Sequence, residues 1–207
     1  MIFEIVVVGP LEVNCFILGC ESTGEGIIVD PGADPEKILS AVRRLGLTIR
    51  QVINTHGHFD HVGGNSRILA ETGAQLLIHG GDVPFLTRAA DSATRFGLTA
   101  DDSPPPDRLL TDRMLITFGD YAMTVLATPG HTPGGCCLYL ESQKKVITGD
   151  TLFAEGVGRT DFPGSSHKDL IEGIRAKLMT LPEETVAYPG HGPKTTIGHE
   201  KRYNTFI

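Results

Sequence analysis

The sequence predicts an α/β protein of two β-sheets with helices on the outside, and three observations carry that prediction. Short β-branched and aromatic runs are separated by turn residues, two segments have apolar residues at helical spacing, and strands followed by a helix occur twice along the chain. With 207 residues, 40% hydrophobic and 21% charged, the chain can bury one sizeable core, so residues 1–207 are expected to form a single domain. Its 25 glycines and 13 prolines keep the elements short and leave many loops to carry a site.

The elements follow in order. IFEIVVV (2–8), NCFILG (14–19) and GIIVD (26–30) read as strands of a meander. Residues 35–45 place Ile38, Leu39, Val42 and Leu45 on one helical face, with Pro35 in the first turn and Gly46 behind the last. RQVINT (50–55) is a strand, residues 65–72 are helical, and QLLIH (75–79) is a strand. Residues 81–106 mix a weak helical stretch with a proline triplet, which fits either a packed connector or a mobile flap. RMLITFG, YAMTVLAT, CCLYLES and KKVITG then supply a second set of strands. The amphipathic segment 165–181, with a Ser N-cap and Leu170, Ile171, Ile174 and Leu178 aligned, is the clearest helix, and ETVAYPG (184–190) is a last strand.

A net charge of −7 provides no broad basic face to neutralise phosphates, so nucleic acid is not an expected partner. The first apolar run is too short and too acidic for a signal segment or a membrane span, and a cytoplasmic protein is expected. Four cysteines do not make a disulfide framework, and Cys136 and Cys137, adjacent on a strand, should face opposite sides.

The chemistry concentrates in THGHFDHVGG, where His56, His58, Asp60 and His61 fall within six positions. If this stretch were extended, side chains two apart would converge, grouping His56, His58 and Asp60 and turning His61 away. Imidazole and carboxylate donors suit a divalent borderline cation, and two ligands per ion make this half of a two-metal site. The missing half is expected at strand ends, and three segments share one grammar of strand, glycine and ligand. They present His131 in TPGHTPGG, Asp150 in ITGDTLF and His191 in YPGHGP. Assembled, one ion takes His56, His58 and His131, the other takes Asp60, His61 and His191, and Asp150 bridges them. Zinc is the expected ion; iron or manganese also fits these donors.

THGHFDH together with His131, Asp150 and His191 resembles the metallo-β-lactamase superfamily over essentially the whole chain. The resemblance implies a four-layered αββα sandwich with a dinuclear site at one edge between the sheets. GDTLFAEGVGRTDFPGSSHKDL and YPGHGPKTTIGHE are most similar to the small glyoxalase II-like hydrolases, which cleave hydroxyacyl thioesters of glutathione. By that resemblance the partner is a small-molecule thioester, and Asp60 both holds the second ion and accepts a hydrogen bond from the attacking hydroxide. Arg159 matches a basic residue that meets a substrate carboxylate in the family, although Asp161 stands where larger members have an aromatic hydroxyl. Only residues 192–207 follow His191, so the helical C-terminal domain of full-length glyoxalase II is not expected.

Within the superfamily, zinc β-lactamases typically lack the second histidine of the Asp-His pair, and a large class places Cys at the position of Asp150. That pattern points away from a lactamase. Persulfide dioxygenases share GRTDF and use a single iron on positions matching His56, His131 and Asp150, which leaves the other candidates without a metal role. A hydrolase of another small ester is a further alternative. Asp30, in VDPG, either orients a ligand imidazole or caps a turn. His79, His167 and His199 lack a ligand-like setting.

Overall fold

The computed structural model describes residues 1–207. The first sheet runs β1 (Ile2–Val8), β2 (Val13–Gly19), β3 (Glu25–Val29), with α1 (Pro35–Leu45) leading into β4 (Thr48–Ile53). A single helical turn α2 (Phe59–Val62) and α3 (Asn65–Thr72) connect β4 to β5 (Gln75–His79). The segment α4 (Val83–Leu86) and α5 (Ala89–Arg95) then leads to β6 (Arg108–Leu110). The six strands lie side by side in chain order, antiparallel from β1 to β3 and parallel from β3 to β6.

The second sheet takes β7 (Leu115–Phe118), β8 (Tyr121–Ala127), β9 (Cys136–Leu140) and β10 (Lys145–Gly149) in an antiparallel meander. A small hairpin of β11 (Leu152–Phe153) and β12 (Gly156–Val157) follows, then α6 (His167–Gly173), whose last turns continue through Ile174–Leu178 with wider π-type spacing. The crossover through α6 returns β13 (Val186–Pro189) parallel to β10, and β14 (Thr195–Thr196) and α7 (Ile197–Tyr203) close the chain.

Strand alternation sorts the apolar side chains into three layers. On β2, Cys15 and Ile17 pack outward with α1 and α3, while Phe16 and Leu18 point to the opposite sheet. On β9, Cys136, Leu138 and Leu140 face the middle, and Cys137 and Tyr139 face α6. The two cysteines therefore take opposite faces, as expected. Three cores between helix, sheet, sheet and helix make the αββα sandwich, and each fully buried Leu, Ile or Phe contributes about 1.5–3 kcal/mol.

Most of the expected elements form. Within 81–106, Leu86, Ala89 and Ala93 are buried, while residues 94–97 are exposed. The strand β6, the short hairpin, β14 and α7 were not expected; three are two or three residues long and α7 follows a Gly- and Pro-rich turn that hides its start. No helix is long and apolar enough to cross a membrane.

Candidate metal centre

The parallel strands β3, β4, β10 and β13 end at one edge of the sandwich, and the chain beyond them supplies Asp30, His56, Asp150 and His191. Carboxyl ends of parallel strands are where such folds place ligands, because the crossovers diverge there and leave backbone groups open. His131 arrives from the loop after β8.

After β4 the chain bends at Thr55 and His56 and is extended at His58, whose φ and ψ are −67° and 147°. It then turns helical: the His58 carbonyl accepts the amides of His61 at 2.9 Å and Val62 at 3.2 Å. An extended stretch through Asp60 therefore does not form. The helical turn brings Asp60 and His61 together toward His191, with the His61 ring still 4.1 Å from that of His56, centroid to centroid. The buried Asn54 side chain holds this turn by donating to the His61 carbonyl at 3.1 Å.

The glycine before each later ligand has its own reason. Gly130 and Gly149 have φ of 142° and 48°, backbone that L side chains rarely adopt. Gly190 has no positive φ; there the requirement is space, because a Cβ would lie 2.4 Å from Asp150 Oδ1 and 2.7 Å from His61 Cε1.

All seven candidate ligands converge. Donor atoms of His56, His58 and His131 lie within 4.8 Å of one another, as do those of Asp60, His61 and His191, and those of His56, His61 and Asp150. Asp150 sits between the histidine groups, with Oδ1 3.5 Å from His61 Nε2 and Oδ2 3.6 Å from His131 Nε2 and 3.7 Å from His191 Nε2. Asp60 Oδ2 is 3.3 Å from His191 Nε2.

The outward ring nitrogens fix which atoms face inward. His131 Nδ1 donates to the Arg159 carbonyl at 2.8 Å, His191 Nδ1 to the Leu11 carbonyl at 2.9 Å, and His61 Nδ1 to Asp30 at 3.1 Å. A neutral imidazole that donates through Nδ1 presents a bare lone pair at Nε2. His61 Nε2 and His191 Nε2 nevertheless face each other at 3.3 Å. Two lone pairs at that distance repel unless a cation or a proton lies with them. His56 Nε2 and Asp150 Oδ1 are buried with no hydrogen-bond partner at all. Buried acceptors without a partner are costly, and divalent cations satisfy this set of orphans, so the residues fit a metal centre.

Electrostatics in the bare cluster agree. Burial first, and neighbouring imidazoles second, hold His58 neutral with a pKa of about 3 and push His56 well below its ordinary value. Burial opposes a charge on His61, but Asp150, Asp60 and Asp30 outweigh it and raise His61 to about 10. Burial likewise works against ionised Asp60, yet His61 and His191 win and hold it below the usual carboxylate range. The cluster is thus built around positive charge on the Asp60 side.

Further residues surround these atoms, and of them the sequence did not single out Asp82, Phe85 or Phe162. Asp82, fully buried, accepts the Gly57 amide at 2.8 Å and the Gly134 amide at 2.6 Å, tying the His56–His58 loop to the His131 loop. It too follows a strand and a glycine, in QLLIHGGD, which was the available signal. Phe85 and Phe162 set ring edges against His58, with centroids at 5.8 and 5.2 Å. Asp30 orients rather than merely caps: besides His61 it accepts the Thr55 amide at 2.8 Å and the Thr55 hydroxyl at 2.7 Å. Arg159 stands at the rim, its exposed guanidinium bound twice to Asp161 at 2.7 and 2.6 Å and stacked 4.2 Å over Phe162. His79, His167 and His199 are not in the cluster; His199 pairs with Glu155 at 2.9 Å.

Two helix-covered sheets with a histidine and aspartate cluster at the carboxyl ends of their parallel strands define a metallo-hydrolase fold. The chain belongs to the metallo-β-lactamase superfamily, whose model matches residues 8–191. It is 36% identical over 210 residues to the hydroxyacylglutathione hydrolase GloC of Haemophilus influenzae, covering 100% of this chain and 98% of that protein. Among solved structures it is similar to the BLEG-1 B3 metallo-β-lactamase, with a TM-score of 0.92 and 34% identity over 99% of each chain. It is also similar to TTHA1623 in a di-iron-bound form, with a TM-score of 0.91 and 36% identity over 99% of this chain and 100% of that one.

Proposed function

We propose that this chain is a dinuclear metal-dependent hydrolase of a small-molecule thioester, of the glyoxalase II type, acting as a single domain in the cytoplasm. One observation carries the reading: two ligand triads lie side by side with Asp150 facing both. His56, His58 and His131 would hold one ion, and Asp60, His61 and His191 the other. Zinc is the ion we expect; the same donors accept iron or manganese. The similarity to GloC supports a hydroxyacylglutathione as the first substrate to try. Four free thiols, three of them pushed up in pKa chiefly by burial, fit a reducing compartment.

Bound metal ions supply Lewis acidity and a water-derived nucleophile at neutral pH. The residues of the chain do the remaining work. Asp60, held ionised beside His61 and His191, accepts a hydrogen bond from the attacking water and aims its oxygen at the carbonyl. Phe85 and Phe162 flank His58 and keep bulk water off that side. One water is consumed: its oxygen bonds the carbonyl carbon, the C–S bond breaks, and a carboxylate, a thiol and one proton leave.

The test is metal analysis of protein purified without added metal, with assays of lactoylglutathione and β-lactam hydrolysis and of persulfide-dependent oxygen uptake. The β-lactam arm is included because the chain is 34% identical to a protein described as a B3 metallo-β-lactamase. Two ions per chain with thioester hydrolysis is the expected result. One iron with oxygen uptake, or a β-lactam cleaved in preference to thioesters, overturns the reading. Asp60→Ala and His131→Ala should each abolish turnover, and full activity in either sinks the assignment.

A further inference from the structure

Beside Asp60 the fold encloses a cleft of about 220 Å³ between the turn joining β1 to β2 and the segment that follows α5. Val8, Leu11, Val13, Phe59 and Leu98 line it together with proline, glycine and alanine; Thr99 is its one uncharged polar residue and Asp60 its one charged residue. Both walls are fixed to the metal centre. The Leu11 carbonyl accepts His191 Nδ1, and the Asn14 amide donates to the Gly190 carbonyl at 2.7 Å. On the other side Phe96 packs against Phe59, next in the chain to Asp60, with ring centroids 5.5 Å apart. Leu11 and Phe96 remain 40% and 55% exposed, so the rim of the cleft is apolar as well.

The lining decides what can enter. A carboxylate placed here would lose its hydration and face the like charge of Asp60, whereas an alkyl chain loses only unfavourable contact with water. Arg159 is not part of this lining, and its guanidinium is paired with Asp161. An apolar concavity beside a few convergent polar groups is the usual form of a small-molecule subsite.

Resting on the thioester reading above, we propose that the acyl part of the substrate is an uncharged aliphatic chain, seated in this cleft with its carbonyl beside Asp60. Burial of each methylene strengthens binding about fourfold, so the cleft selects for chain length until it is full.

The experiment is an acyl series, acetyl, butanoyl and hexanoyl, on one uncharged thiol such as N-acetylcysteamine, set against a thiol series on one acyl group. Expected is a rise in kcat/KM of at least about tenfold from acetyl to butanoyl, with no comparable rise along the thiol series. Leu98→Asp should lower hexanoyl turnover at least tenfold more than acetyl turnover. A flat acyl series, a gradient on the thiol side instead, or a gradient that survives Leu98→Asp overturns the proposal. If no thioester is cleaved, the thioester reading falls and binding decides the cleft. Hexanamide should then shift the amide resonances of residues 97–100 where acetamide does not, with Leu98→Asp removing the effect, and its failure to bind overturns the cleft as an aliphatic site.

Discussion

His61 Nδ1 lies 3.1 Å from Asp30 Oδ2, and both side chains are completely buried. The carboxylate can only accept, so it fixes the proton of His61 on Nδ1 and leaves Nε2 free toward Asp60 and Asp150.

Asp30→Asn reverses that arrangement. An amide nitrogen in place of Oδ2 donates where His61 must donate, which drives the imidazole to the other tautomer and protonates the ligating nitrogen. We expect the second ion to bind 10- to 100-fold more weakly, at about the usual magnitude for an outer-shell partner, while the ion at His56, His58 and His131 is retained. Competition titration against a chelator separates the two sites. Wild-type affinity at both would show that Asp30 does not orient His61.

Asp82 joins two ligand loops through buried amides, so Asp82→Ala leaves the Gly57 and Gly134 N–H groups without acceptors. Each unsatisfied buried donor costs about 1–3 kcal/mol, equivalent to a Tm loss of roughly 5–15 °C for the pair in a chain of this size. Asp82→Asn keeps one acceptor and should fall between alanine and wild type in both Tm and metal retention at the His131 side. Equal behaviour of the two variants would argue against the bridging role.

Gly190→Ala tests the packing of the centre directly. The backbone there accepts any residue, but the new Cβ meets Asp150 and His61 at 2.4 and 2.7 Å. Displacing two ligand-bearing side chains by about 1 Å should lower kcat/KM by about 100-fold or more with the far-UV circular dichroism unchanged. Gly156→Ala, whose Cβ finds nothing nearer than 3.7 Å, is the control and should retain activity. Similar losses in both would point to general destabilisation.

These residues also mark what the sequence could reveal. Helical spacing located α1 because one face of it is buried, and short β-branched and aromatic runs located strands such as β2, which is buried on both faces. The seven candidate ligands were legible because imidazole and carboxylate groups recur after strand ends and glycines. Their grouping was less so. An extended reading of residues 56–61 separates Asp60 from His61, and only the His58 carbonyl, accepting two amides, creates the turn that brings them together. The glycines before the ligands answer different needs: Gly130 and Gly149 supply backbone that L side chains rarely adopt, whereas Gly190 supplies space that only tertiary packing defines. Asp82 lies at the head of a segment with no clear period, and its role depends on two amides 25 and 52 residues away. Arg159 was marked for its charge, yet Asp161, two residues on, engages it at the rim.

Removing the metal should leave a protein whose stability peaks near neutral pH. On the acid side, His58 is held down to about 3 against an ordinary 6.5, and His56 is also depressed, so the unfolded chain binds protons that the folded one refuses. Stability is then lost as pH falls below about 6.5, with Asp60 adding to the loss below its ordinary 3.8. On the alkaline side, His61 is raised to about 10, so its contribution is complete below 6.5 and disappears as pH rises toward 10. Metal ions must displace that proton to bind, so the stabilisation they give should grow with pH between about 6 and 9. Thermal unfolding in excess chelator and in added zinc, from about pH 4.5 to 9.5, checks both limbs. We expect the chelated protein to lose at least about 5 °C at each extreme relative to neutral pH. A flat chelated profile, or a zinc effect that is the same at pH 6 and 9, would mean that the cluster does not exchange protons for metal.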